Sequence, residues 1–421
     1  MHHINRRGFI GGSVAALGAT AFGAAAWADG PHGFIYPTPP GPNDTLRTDV
    51  DNSRRIVAPP PPGYWPYSGI SGPGAPVTAT TRHGGWTSGL PHVSYKGPTP
   101  RSYPIGPWND ADSGEAVKSG LLPAIRPIWD AHIRDTIVCA GGDGAYYMTG
   151  STGDNIWAIN DGVELWRSTD LKDWHYLGLV WSIEKDGTWE KHWTMRKGVC
   201  FRAIWAPEIH YIGGNYYICT SISGVGIGIL KSTTGKATGP YVHAIDDTAP
   251  IKGSIDSTLF EDDDGRVYLT YGSAETIREI KPDFSAFAGD WQPTILAEPD
   301  TNPDHHARKD AESLGKIGFE GATVFKRNGQ YYLGSVDKYY GRYSFAFAVA
   351  DHITGPYRMR HEAVPCCGGG NVFRDHQGRW WQTFFGNDTF SPFREKPGLV
   401  RIDFDAAGRI HPHTDQPFVT A

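Results

Sequence analysis

Residues 135–151 read DTIVCAGGDGAYYMTGS. A short apolar run leads to a glycine turn at Gly144, and the aromatic pair Tyr146-Tyr147 follows. Glycine at a turn between β-rich runs is a hairpin signal, because a positive φ costs glycine nothing. The same pattern recurs as APEIHYIGGNYYICTS (206–221), DSTLFEDDDGRVYLTYGS (256–273), EGATVFKRNGQYYLGSV (320–336) and GNVFRDHQGRWWQTFFGN (370–387). The turn glycines are Gly144, Gly214, Gly265, Gly329 and Gly378. Two and three residues beyond them stand Tyr146-Tyr147, Tyr216-Tyr217, Val267-Tyr268, Tyr331-Tyr332 and Trp380-Trp381. Roughly 50–70 residues separate successive turns, room for a four-stranded sheet and its loops. Thr238-Gly239-Pro240-Tyr241 recurs as Thr354-Gly355-Pro356-Tyr357, and Asp170-Leu171-Lys172-Asp173-Trp174 stands at a similar late place in the first unit. Five such units closing on themselves predict an all-β fold, a five-bladed β-propeller, which leaves only short strand edges exposed. A β-sandwich is the alternative.

Composition agrees. The chain of 421 residues carries 15 Trp, 20 Tyr, 18 Phe, 53 Gly and 32 Pro, with an ordinary apolar fraction of 39%. Aromatic strands broken by glycine turns fit an all-β domain. A net charge of −6 argues against nucleic acid or an anionic membrane as the main partner. Surplus tryptophan suits a carbohydrate partner, because sugar C–H faces stack on aromatic rings; packing in the core accounts for most such rings.

Three regions follow. Residues 1–28 read as an export signal: Asn5-Arg6-Arg7-Gly8-Phe9-Ile10, an apolar stretch to Ala25, then Ala26-Trp27-Ala28 as a cleavage site. The segment resembles a twin-arginine signal, with an ordinary secretory signal as the alternative. It implies a periplasmic or secreted protein with no stable membrane association after cleavage. Residues 29–124 form a Pro/Gly-rich arm with no periodicity, read as disordered or as an ordered arm laid over the main domain. Tyr64, Trp65, Tyr67, Trp86 and Trp108 favour order. Residues 125–421 are the propeller. The five cysteines have no CxxC spacing, so neither a disulfide framework nor a zinc site is predicted. The adjacent Cys366-Cys367 can form a vicinal disulfide or stay as two thiols.

Counting back nine residues from each turn glycine gives Asp135, Trp205, Asp256, Glu320 and Gly369. The first strand of each blade lines the central channel, so equivalent positions form a ring. Three of the five are carboxylates. Like charges near one axis repel and raise one another's pKa, a cost that function explains more readily than folding. Two opposed carboxylates suit glycoside hydrolysis, one giving a proton to the leaving oxygen and the other activating water or attacking carbon. A third tunes the acid.

These residues resemble glycoside hydrolase family 43. Arg134-Asp135-Thr136, Trp205-Ala206-Pro207-Glu208-Ile209, Ser254-Ile255-Asp256-Ser257 with Phe260 to Gly265, and Phe319-Glu320-Gly321-Ala322 look like its motifs in family order, over about residues 125–411. The resemblance implies inverting hydrolysis of arabinofuranosyl or xylosyl linkages. Asp135 would be general base, Glu320 general acid, and Asp256 the residue that tunes and orients the acid. The alternatives are another sugar on the same scaffold, or a carbohydrate-binding propeller without turnover. Many family members carry a histidine before the fifth blade's first strand, where it helps hold an axial cation or water. Here Cys366-Cys367-Gly368-Gly369-Gly370 replaces it, so no metal or cofactor is expected and an axial calcium is doubtful. Trp205, Trp157, Arg394, Cys366 and Cys367 are further candidates for substrate contact. His305-His306 and the acidic run from Glu261 to Asp264 read as solvated loop and hairpin turn.

Overall fold

The computed structural model describes Ile128, residues 133–152, 160–196, 199–297, 316–339, 342–364, 367–386 and 397–413, and the two-residue strand Ile56–Val57. Strands dominate. They form five antiparallel four-stranded sheets, each built from consecutive strands, and one three-stranded sheet. The first blade runs Arg134–Ala140, Tyr146–Ser151, Gly162–Ser168 and His175–Ser182. The blades that follow begin with Ile204–Ile212, Ser257–Glu261, Glu320–Arg327 and Val372–Arg374. Each of these first strands touches those of the neighbouring blades, and the fifth returns to the first. The predicted five-bladed propeller is the observed fold.

The repeated aromatic pair explains why the blades stack. Side chains on a strand alternate between its two faces. The first member of each pair therefore faces the preceding blade and the second the following one. Tyr146 packs with Phe373 and Trp381 of blade five, whereas Tyr147 packs towards Ile204 and Tyr216 of blade two. Tyr217 packs with Leu259 and Leu269 of blade three, and Tyr331 and Tyr332 divide between blades three and five. One buried apolar cluster thus fills each gap between neighbouring blades.

The late repeat also has a structural reading. Tyr241 donates its hydroxyl to Ala237 O at 2.7 Å, Tyr357 to Ile353 O at 2.7 Å, and Trp174 Nε1 to Leu171 O at 3.2 Å. Each pins the turn that leads into a blade's outermost strand.

Among the described residues, no strand is shared between the first and last blades, and side-chain and backbone hydrogen bonds join them. Thr136 pairs with Gly370 as an isolated parallel bridge. Beside it the Asn371 amide acts as a substitute strand. Its Oδ1 accepts the Val138 N–H at 3.1 Å and its Nδ2 donates to Val138 O at 2.9 Å. Thr383 Oγ1 holds that amide at 2.9 Å. Ile128 N–H reaches Pro397 O at 2.7 Å, and His376 N–H reaches Tyr146 Oη at 3.1 Å.

Between blades one and two the chain makes a short helix, Ile183–Asp186, a 3-10 turn, Trp189–Lys191, and a hairpin, Trp193–Arg196 with Val199–Phe201. Ile56–Val57 pairs antiparallel with Thr194 and Trp193, adding a strand to that hairpin. Thr194 Oγ1 donates to Ser223 O at 3.0 Å, which holds the insertion at the end of the propeller where the first strands begin.

Asn371→Ala leaves the buried Val138 N–H and C=O without their partner. Stability is expected to fall by roughly 2–4 kcal/mol at the cost of an unmet buried polar group. Chemical denaturation checks this, and an unchanged midpoint contradicts the closing role.

Candidate active site

The head of each first strand has one residue in the left-handed region. These are Asp135 (φ 52°), Ala206 (φ 42°), Asp256 (φ 53°), Gly321 (φ 68°) and Gly369 (φ 54°). In blades one, two and four the residue lies in a β-bulge, where pairing slips between Arg134 and Ile137, Trp205 and Glu208, and Glu320 and Thr323. A bulge re-aims the side chain beside it. Aspartate tolerates the left-handed region better than most residues, because its short polar side chain bonds locally.

The count of nine residues groups the acids with a one-residue offset. Asp135, Asp256 and Gly369 occupy the left-handed position, whereas Trp205 and Glu320 stand one residue ahead of it. The turns explain the difference. Gly213-Gly214 and Asn328-Gly329 are two-residue turns with positive φ at both positions. Blades one, three and five use five-residue loops instead, Gly141 to Ala145, Asp262 to Arg266 and Asp375 to Arg379.

Hydrogen bonds tie each acid to its own or a neighbouring blade. Ser151 Oγ donates to Asp135 Oδ2 at 2.6 Å and accepts the Ala206 N–H at 2.7 Å. The Asp256 N–H donates to Ser221 Oγ at 2.9 Å, and Asp256 Oδ2 accepts the Gly321 N–H at 2.9 Å. Tyr343 Oη donates to Glu320 Oε1 at 2.8 Å. At Gly369 an added Cβ would lie 2.6 Å from Asp135 Oδ1 and 2.3 Å from the Phe385 ring. The fifth blade is therefore glycine where Asp135 and Phe385 fill the space.

Asp256 stands within electrostatic range of both Glu320 and Asp135. Burial, then the charges of Glu320 and Asp135, push the Asp256 carboxyl well above its usual range; the Gly321 N–H opposes this. Burial and then Glu320 likewise push the Tyr343 phenol up, so it stays a donor. Arg134 brings positive charge, its guanidinium 4.3 Å over the Phe385 ring. Glu208, buried and 3.0 Å from His210 Nε2, adds a further negative charge felt by Asp256.

Among the sequence candidates, the structure brings Asp135, Asp256 and Glu320 together. Trp205 is buried at the head of blade two's first strand. Cys367 is fully buried in the cluster containing Tyr343 and Phe385. Trp157, Arg394 and Cys366 lie outside the described residues. Among the described residues, no three His, Cys, Asp or Glu side chains come together as a metal-binding group. Sequence reasoning missed Ser151, Ser221 and Tyr343. Counting seven residues forward from Gly144 and Gly214 finds both serines. Tyr343, on the third strand of blade four, has no repeat signal.

Comparison with known proteins agrees with this geometry. The family model described as glycosyl hydrolases family 43 matches residues 124–410. A protein named beta-D-galactofuranosidase from Aspergillus niger is 30% identical over 200 residues, covering 40% of this chain and 52% of its own. The chain thus spans about half the length of that relative. The extracellular endo-alpha-(1->5)-L-arabinanase 1 of Bacillus subtilis is 25% identical over 296 residues, covering 64% of this chain and 83% of its own. The solved structure of a family 43 enzyme from Xanthomonas citri, complexed with xylotriose, covers 74% of this chain and 99% of its own, with TM-score 0.52 and 19% identity, and shares the fold.

Asp256 binds its proton more tightly folded than unfolded. Its contribution to stability is complete below the unfolded carboxyl pKa, about 4, and is lost as pH rises through the folded value. Asparagine keeps the acceptor for Gly321 and tolerates the left-handed backbone, without the charge. Asp256→Asn is expected to raise the melting temperature by on the order of a few degrees at pH 7, and by little near pH 3. Thermal melts across pH check this; a variant less stable by the same amount at both pH values contradicts it.

Proposed function

Because the chain belongs to glycosyl hydrolases family 43, we propose that it is a glycosidase cleaving arabinofuranosyl or xylosyl linkages by inverting single displacement. The observation that carries the reading is the convergence of Asp135, Asp256 and Glu320 from three blades, with the Asp256 carboxyl raised by burial and then by the charges of Glu320 and Asp135. Three carboxyls in mutual range do not all ionise near neutral pH, and the protons they retain supply an acid.

Glu320 gives its proton to the glycosidic oxygen as the bond to the anomeric carbon breaks. Asp135 takes a proton from the water that attacks the opposite face. Asp256 sets the charge that Glu320 experiences. Tyr343 orients the Glu320 carboxyl, and Ser151 orients that of Asp135. The arabinanase relative favours an arabinosyl substrate. The relative named beta-D-galactofuranosidase supports a second reading, a galactofuranosyl substrate on the same scaffold. Asn5-Arg6-Arg7 and the apolar run after it support twin-arginine export to the periplasm or beyond, in keeping with a relative named as extracellular.

Asp135→Ala and Glu320→Ala are each expected to lower kcat by about 10²–10⁴-fold on aryl arabinofuranosides, xylosides and galactofuranosides. Glu320→Ala should lose least on the most acidic leaving groups, which need no proton; Asp135→Ala should show no such trend. Proton NMR of the first-formed anomer should show inversion. A retained anomer excludes water activation by Asp135.

A further inference from the structure

The other end of the propeller carries a cavity. It lies between blades one and two, beside the turn at Gly142 and Asp143 and the turn from Gly235 to Thr238, with a volume of about 480 Å³. That volume falls within the usual range for small-molecule sites, roughly 300–1,000 Å³. The carboxylates stand at the start of Arg134–Ala140 and this cavity beyond its end. At about 3.3 Å per residue the two are roughly 20 Å apart along the strand.

Its lining is aromatic with one group of each charge. Tyr211, half-buried, leans on Tyr216 with centroids 4.9 Å apart, and Tyr147 meets Tyr216 edge-on at 5.4 Å. Asp143 is held by the Tyr147 hydroxyl at 2.7 Å and the Ala145 N–H at 3.2 Å. Burial raises its carboxyl pKa, but these bonds and the Arg167 charge outweigh that and hold it below its ordinary value. Lys236 is exposed on the facing turn. The buried Tyr216 phenol packs against Gly141, and the Tyr211 hydroxyl against Gly142.

A fixed acceptor, a mobile donor and tyrosine faces suit a neutral polyhydroxyl ligand. One carboxylate is too few for a calcium ion, which takes 6–8 oxygens. A phosphate would meet Asp143. We propose that this cavity binds a glycosyl segment of the polysaccharide substrate, as an anchoring site apart from the carboxylates. The proposal rests on the glycosidase reading for the choice of ligand. Tyr211 supplies a stacking face, Asp143 accepts from sugar hydroxyls and Lys236 donates to them. Bound there, the enzyme stays near neighbouring chains of the polymer while the catalytic end turns over, which raises the effective substrate concentration.

The test is affinity electrophoresis of the full-length protein in gels containing arabinan or xylan, with turnover of aryl glycosides measured alongside. Wild type and Asp135→Ala should both be retarded. Tyr211→Ala and Lys236→Ala should lose retardation, with at least about fivefold weaker polymer binding, and keep aryl glycosidase activity within about twofold. Lys236 lies on an exposed turn, so its variant carries the test if Tyr211→Ala does not fold. Absence of wild-type retardation in both gels, or retardation of a folded Lys236→Ala protein equal to wild type, overturns the anchoring site. Absence of turnover on every glycoside overturns the glycosidase reading instead, and the gels still report on the cavity.

Discussion

The site depends on a backbone constraint at the head of each first strand: one residue in the left-handed region, set at the channel mouth. A non-glycine residue there stores strain, of order 1–3 kcal/mol, and must be held by its surroundings. Asp135 and Asp256 accept that conformation and are held by Ser151, Ser221 and the Gly321 N–H. Every one of those bonds except that between Ser151 and Asp135 crosses between blades. The geometry of the acids is therefore a property of the assembled ring. It needs the apolar clusters between blades, and it needs the ring closed by Asn371.

Much of this was legible in the sequence, because the repeat imposes local rules. A turn glycine needs positive φ, and an aromatic pair must face both neighbours. Those two requirements revealed the blade number and the approximate ring of acids. The one-residue offset at Trp205 and Glu320 was hidden, because two-residue and five-residue turns both place a glycine two residues ahead of the pair that follows. Tyr343 was hidden for a different reason: it reaches Glu320 across a sheet, from a strand where no repeat position marks it. The pairing of Ile56–Val57 with the hairpin after blade one was equally silent, since a two-residue strand has no period.

The fifth blade shows what a missing side chain does. Gly369 leaves the space that Asp135 and Phe385 occupy, and a Cβ at Gly368 would lie 2.2 Å from the Tyr343 ring. Arg134 then covers Phe385, so an aromatic and cationic wall stands where a side chain from blade five would project. The glycines let Tyr343 and Phe385 approach the axis, and Tyr343 is the group that orients Glu320. Loss of a side chain in one blade is thus linked to placement of the acid in another.

The central claim is that Asp135, Asp256 and Glu320 form one electrostatic unit. Side-chain carboxyl ¹³C NMR across pH measures this directly. The resonance that disappears in Asp256→Asn is expected to titrate well above the ordinary carboxylates in wild type, and to titrate lower when Asp135→Asn and Glu320→Gln are combined. If that resonance instead titrates near pH 4 with the ordinary carboxylates, in wild type and variant alike, the three groups do not share a site.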